Sequence, residues 1–385
     1  MTRVTIKPEL IRWACERSRI PELSLKEHFP KLSEWINGEK QPTIKQLEKF
    51  AKVTHTPFGF LFYPEPPDEP MPIPDFRKLK DAAQGRPSPD LLDTIYAMQY
   101  RQEWLREERI EGEADPLDFV GSARLHDNPI AIGQEMRRIV GVSEGWTGPV
   151  HTWQDAINEL RRLMEKMGVI AVINGVVGNN THRKLSVNEF RGFALADNYA
   201  PLIFVNGADA KSAQMFTLAH ELAHLWLGSI GDGISGFADI FPEATKVEKF
   251  CDQAASEFLV PEKELRAAWR EAKNVSAPFK TLARQFKVSP IVIGRRAMDL
   301  RLVGKETFFS YYNEYKQHEH SLAKKSSGGG DFYHNQNSRI GANFATLVIR
   351  AAKEGRLTFK EAYHLTGLHG GAFQEYARRL GVYLP

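Results

Sequence analysis

Only two cysteines, Cys15 and Cys251, occur in 385 residues, so no disulfide framework is available and a reducing compartment is expected. The chain has no apolar run of the length, about 18 residues, that a membrane-spanning helix needs, so no membrane association is expected. The opening MTRVTIKPEL lacks the apolar core of a signal peptide, and the cytoplasm is the expected location. Charge of one sign is also scarce. The 51 basic and 48 acidic residues leave a net +3, too little to argue for nucleic-acid binding from composition alone. No internal repeat is visible. What remains is a 42% hydrophobic fraction, enough for the cores of two or three domains in a chain of this length.

Against that ordinary background, the segment 217–226, TLAHELAHLW, stands out. His220 and His224 are four residues apart, so on a helix they share one face and can point at a single ion. Glu221 directly follows the first histidine and is placed to act as a general base toward water. The flanking Phe216, Leu218, Ala219, Leu222, Ala223, Leu225 and Leu227 predict a buried helix. The plain alternative is a core helix with two hydrogen-bonded histidines. Buried imidazoles and a carboxylate need partners, and a metal supplies them.

Two histidines and a water leave one protein ligand to find. The stretch 244–261, ATKVEKFCDQAASEFLVP, reads as a helix stopped by Pro261, with Val247, Phe250, Ala254, Phe258 and Leu259 as its apolar stripe. It offers Glu248, 24 positions beyond His224, and Cys251. The glycine-bearing loop 228–243 offers Asp232, Asp239 and Glu243, and its Gly228, Gly231, Gly233 and Gly236 suit a cover over the site. Glu248 followed one turn later by Asp252 resembles the gluzincin arrangement, in which the Glu ligates zinc and the Asp holds the other N–H of a ligand histidine. On that resemblance Glu248 is the expected third ligand and Asp252 its supporting carboxylate, with Cys251 and the loop acids as alternatives.

The run from LIFVNG (202–207) through TLAHELAHLWLG (217–228) to EKFCDQAASEFLVP (248–261) resembles the ImmA/IrrE family of metallopeptidases, as does EFRGFALAD (189–197). The resemblance covers roughly 150–300. It implies a small zinc-protease domain that cleaves a helix-turn-helix repressor or an antitoxin. It assigns Zn2+ to His220, His224 and Glu248 and the general base to Glu221. Many relatives carry Glu-Ala-Asn where this chain has Phe250-Cys251-Asp252, and Asp252 still offers a carboxylate there.

Upstream, 31–53, KLSEWINGEKQPTIKQLEKFAKV, resembles the XRE-type helix-turn-helix family through Trp35, Asn37-Gly38, Pro42 and the spacing of Ile44, Leu47, Phe50 and Ala51. Helices are expected at about 7–19 and 24–29. The resemblance puts the helix holding Trp35 in the major groove and makes Lys31, Ser33, Lys40 and Gln41 candidate DNA contacts. The turn before it is compressed into Phe29-Pro30, and Glu34 mixes the charge, so a protein-docking module stands beside the DNA reading. Asp75-Phe76-Arg77 resembles a segment of long family members that begin with such a module.

The expected fold is α+β and mostly helical, with a small zincin-like domain (a short sheet plus the H-E-x-x-H helix) between helical modules. Its parts are an XRE-like module at 1–63, a proline-rich linker at 64–88, a helical connector at 89–150, the peptidase domain at 151–304, a helix and flexible linker at 305–337, and a helical module at 338–385. A helix at 89–110 should bury Leu92, Ile95, Met98 and Leu105. Strands are expected at 169–173, 190–196 and 202–205, with 190–196 as the sheet edge that takes substrate. His151, His182, Arg183, Lys184 and Arg191 are unranked candidates to stabilise the transition state. Helix-turn-helix spacing recurs at 281–303, around Val288-Ser289. The expected function is a zinc metalloendopeptidase acting on a repressor or antitoxin, this chain included. The alternative is an XRE-type regulator or antitoxin that binds a co-encoded toxin and keeps a structural zinc.

Overall fold

A computed structural model describes residues 3–73, 86–228, 246–322 and 332–384. Asp75-Phe76-Arg77 and the acids Asp232, Asp239 and Glu243, with most of the glycine-rich loop, lie outside the described residues. The chain divides into two compact units, Met1–Tyr96 and Ala97–Pro385.

The N-terminal unit holds helices α1 (Pro8–Ser18), α2 (Glu22–His28), α3 (Leu32–Ile36) and α4 (Ile44–Val53), then a 3-10 turn at Phe58–Phe62. Its core gathers Leu10, Ile11, Leu25, Phe29, Leu32, Trp35, Leu47 and Phe50. Trp35 points inward, with its ring 5.9 Å from Phe29 and edge-on to Phe50 at 6.2 Å. Helix α4 starts with a capping box: the Thr43 side chain accepts the Gln46 N–H, and the Gln46 side chain accepts that of Thr43. The proline-rich stretch is tied back onto α1. Arg17, buried and therefore in need of a counter-charge, makes a paired contact to Glu69 at 2.5 and 2.8 Å.

Helix α5 (Pro89–Glu111) crosses the division and buries Leu92, Ile95, Met98 and Leu105. The C-terminal unit continues with α6 (Pro129–Val140) and α7 (Trp153–Lys166), then strands β1 (Ile170–Asn174), β2 (Val176–Val177), β3 (Asn180–Lys184), β4 (Gly192–Leu195) and β5 (Leu202–Asn206). Helices α8 (Lys211–Leu227), α9 (Lys246–Leu259), α10 (Glu262–Ala272), α11 (Pro278–Phe286), α12 (Pro290–Asp299) and α13 (Lys305–Leu322) follow. Helices α14 (Phe332–Ile340), α15 (Ala342–Lys353), α16 (Phe359–Thr366) and α17 (Gly370–Arg379) close the chain. The fold is α+β and mostly helical.

The sheet order is β1-β5-β4. β1 runs parallel to β5, Ile170 facing Leu202, and β4 runs antiparallel, Gly192 facing Val205. Side-chain alternation sends Ala171, Ile173, Ala194, Ile203 and Val205 into one core with Met215, Leu218, Ala219 and Leu222 of α8. Phe193 and Phe204 leave by the other face, stacked at 5.1 Å. The hairpin β2–β3 was not expected from the sequence, because its NTHRK strand is polar and mostly exposed.

One expectation is corrected, and one spacing is given its place. The flexible linker expected within 305–337 is not realised at its C-terminal end, where α14 begins at Phe332 and packs on β1. Burial of Gln336 and Ile340 orders a segment whose Ser/Gly-rich neighbourhood (323–331 lies outside the described residues) set the expectation. The helix-turn-helix spacing at 281–303 is realised as α11 and α12, joined through Lys287 in a left-handed conformation. However, α12 buries Ile291, Val292, Ile293 and Ala297, so these positions serve the core and cannot read a groove.

Helices α14–α17 are fastened by polar side chains. Arg101 donates to the carbonyls of Leu365 at 2.9 Å and Arg339 at 2.8 Å, and burial pulls its pKa down to about 10. Asn179, in the β2–β3 turn, donates to the Gly367 carbonyl at 2.9 Å. Arg101→Ala leaves two buried carbonyls unpaired and is expected to cost about 3 kcal/mol, read as a lower urea midpoint for the full chain.

Candidate metal centre

Helix α8 is buried from Gln214 to Trp226, so it is fixed by contacts on every side. Gln214 ties its start by donating to the carbonyls of Gly207 at 3.0 Å and Asp209 at 2.7 Å. At its end, Gly121 and Ala123 donate N–H groups to the carbonyls of Leu225 and Trp226 at 2.9 and 2.8 Å. Gly228 closes the helix in the left-handed region at φ 64°.

Helix α9 is held against α8 from behind. Gly133 of α6 lies so near that a Cβ there would stand 2.6 Å from the Ala254 carbonyl oxygen. Arg296 of α12 forms a buried ion pair with Glu257, and Gln134 donates to the same carboxylate at 3.1 Å. The last carbonyls of α9 are met by arginines: Arg137 donates to Phe258 at 2.7 Å, and Arg296 to Val260 at 3.2 Å. The sequence reading missed these residues. A glycine inside an amphipathic helix (Gly133) was the available signal of close approach.

Between the two helices, four side chains meet. The Nε2 atoms of His220 and His224 are 3.1 Å apart. Glu248 brings Oε2 to 3.1 Å from the first and Oε1 to 3.1 Å from the second. Behind them, Asp252 Oδ1 lies 2.9 Å from His220 Nδ1. Zinc ligands bonded at about 2.0–2.1 Å in a tetrahedron stand about 3.3 Å apart, so two imidazoles and a carboxylate at this spacing fit a metal ion. His220, His224 and Glu248 are the group among the described residues that can hold one. Cys251, the rival on α9, is packed in the apolar core.

The electrostatics favour a cation. Burial disfavours a charged His220, but Glu248 and Asp252 outweigh it and hold the imidazole well above its usual pKa. A proton and a metal ion therefore compete for the same place. Glu221 is different. It is only 1% exposed, and neither carboxylate oxygen has a hydrogen-bond partner among the described residues. Burial raises its pKa to about 7, with His224 and His220 pulling down and Glu248 pushing up.

The remaining candidates lie elsewhere. His182, Arg183 and Lys184 are on β3, and His151 precedes α7. Arg191 stands just before β4, 3.6 Å from Asp209. In the N-terminal unit, Lys31 and Ser33 are exposed. Lys40 pairs with Glu34 at 2.9 Å, and Gln41 accepts the Ile6 N–H at 2.8 Å, so these two already serve the fold. Helix α3, the groove reader under the XRE resemblance, has five residues and buries Leu32 and Trp35.

Residues 180–298 match the model of the Peptidase_M78 family, described as the IrrE N-terminal-like domain. The match contains β4, β5, α8 and α9, hence the whole cluster, and it supports a metallopeptidase type of function. Residues 340–379 match a domain of unknown function, DUF8813. No curated protein matches the chain.

Asp252→Ala is expected to weaken binding of added Zn2+ by about 10–100-fold, since it frees the His220 ring. Metal uptake should release protons, and affinity should fall as pH drops through the raised pKa of His220. Chelator competition and calorimetry in buffers of different ionisation enthalpy check both. Equal affinity in the variant would remove Asp252 from the centre.

Proposed function

We propose that this chain is a zinc-dependent metalloendopeptidase. One observation carries the reading: two histidines and a glutamate converge on one point, and beside them Glu221 keeps a carboxylate without a hydrogen-bond partner among the described residues. When bound, zinc supplies Lewis acidity to a peptide carbonyl and to water.

The chain's own residues supply the rest. Glu221 Oε takes the proton of the attacking water and delivers it to the leaving amine. Burial pushes this carboxyl above its ordinary range, the direction that suits a group that must both take and give a proton. Asp252 accepts from His220 Nδ1–H and keeps Nε2 turned to the metal position. β4 is an edge strand of the sheet and packs against α8, so a substrate segment added along it as a further strand would pass the Glu221 helix.

For substrate we assign a repressor or antitoxin-type protein, the chain's own N-terminal unit included. The family resemblance and the fused helical unit support this. That same unit favours a second reading: an XRE-type regulator or antitoxin that binds DNA or a co-encoded toxin and keeps a structural metal.

Glu221→Gln separates the two. It should retain zinc and lose about 10²–10⁴-fold in turnover. The measurement is mass mapping of fragments after the zinc-loaded protein and the variant are incubated with products of adjacent genes. Identical fragments from both, or none from either beside full protection against a co-encoded toxin, would sink the peptidase reading.

A further inference from the structure

Every charged or imidazole side chain in the centre except one is aimed by a polar partner. His220 has Asp252 and Glu248, and His224 has Glu248. Glu221 has no protein hydrogen-bond partner among the described residues, so packing helps to aim its carboxylate. One such packing constraint is Gly192, the first residue of β4. A Cβ built there would stand 2.6 Å from Thr217 Cγ2, 2.9 Å from the Phe204 carbonyl oxygen and 3.2 Å from Glu221 Cγ. The backbone at Gly192 is not left-handed, so conformation does not demand glycine there; space does.

We infer that Gly192 is a positioning residue for Glu221. Its bare backbone lets the edge strand press on α8 one turn before and at the glutamate, at Thr217 and Glu221, and this contact aims the carboxylate. The inference rests on the peptidase reading and deepens it, because β4 is also the strand assigned to substrate. One residue then sets the gap between the bound peptide and the base. The zinc ligands lie outside this contact: His220 and His224 are held through α9, which Gly192 does not touch through any of these three contacts.

The test is Gly192→Ala in the full chain, with Gly192→Ala/Thr217→Ser as a second variant that removes the closest obstruction. Affinity for Zn2+, by chelator competition, should stay within about threefold of wild type, because the ligands are not displaced. On the fluorogenic peptide that wild type cleaves best, kcat should fall about 10–100-fold with KM nearly unchanged, the signature of a misplaced base. A readout independent of turnover is the affinity of acetohydroxamic acid for the cobalt-loaded protein, followed by visible absorption. A hydroxamate chelates through two oxygens and gives its acidic proton to a neighbouring carboxylate. Its affinity should drop about tenfold in Glu221→Gln and comparably in Gly192→Ala.

Wild-type kcat and hydroxamate affinity in a folded, zinc-binding variant would overturn the assignment. Loss of zinc or of the fold in both variants would overturn it too, since the glycine would then serve the scaffold. If wild type cleaves no peptide, the peptidase reading fails by itself, and the hydroxamate comparison still decides the role of Gly192.

Discussion

Five ionisable side chains, His220, Glu221, His224, Glu248 and Asp252, are buried between α8 and α9, and the rest of the C-terminal unit is arranged around that burden. An uncompensated charge inside a protein costs several kcal/mol, so His220, His224, Glu248 and Asp252 are tolerable only if the two helices hold them within bonding distance of one another. The spacing of α8 and α9 is therefore the quantity the structure has to defend. It does so with the close approach of α6 at Gly133 and the Glu257–Arg296 pair. Both sit outside the centre and act on it through the placement of α9.

The buried arginines show a second, different use of polarity. Arg101, Arg137 and Arg296 each donate to carbonyls that helix ends or turns leave without a donor. Their donors meet acceptors and their role is adhesive: they join α14–α17 and α9 to their surroundings where apolar contact alone would leave carbonyls stranded. Glu221 is the contrast. It is equally buried and has neither carboxylate oxygen hydrogen-bonded among the described residues.

Much of this was legible before any coordinates. His220 and His224 share a helix face because a four-residue step is local geometry, and the same step relates Glu248 to Asp252. The strands at 170–174 and 202–206 announced themselves through β-branched and aromatic runs of the right length. Composition misled at 321–337, because Gln336 and Ile340 are ordered by what they pack against and not by their neighbours in sequence. The apolar rhythm of 281–303 correctly gave two helices. It could not say that α12 would face inward, since an apolar stripe looks the same whether it meets a core or steadies a groove-reading helix.

The sequence by itself determined which residue types share a face, where helices begin and stop, and that α8 carries a metal-type pattern, because all of these depend on separations of a few residues. Tertiary structure alone decided that Glu248, and not Cys251 of the same helix, meets the two histidines. It also decided that Asp252 stands behind His220, and that two glycines far apart in the chain, Gly133 and Gly192, set how closely α9 and β4 approach. Those outcomes depend on the rotation of one element against another. A chain fixes that only when long-range packing has paid the entropy of bringing them together.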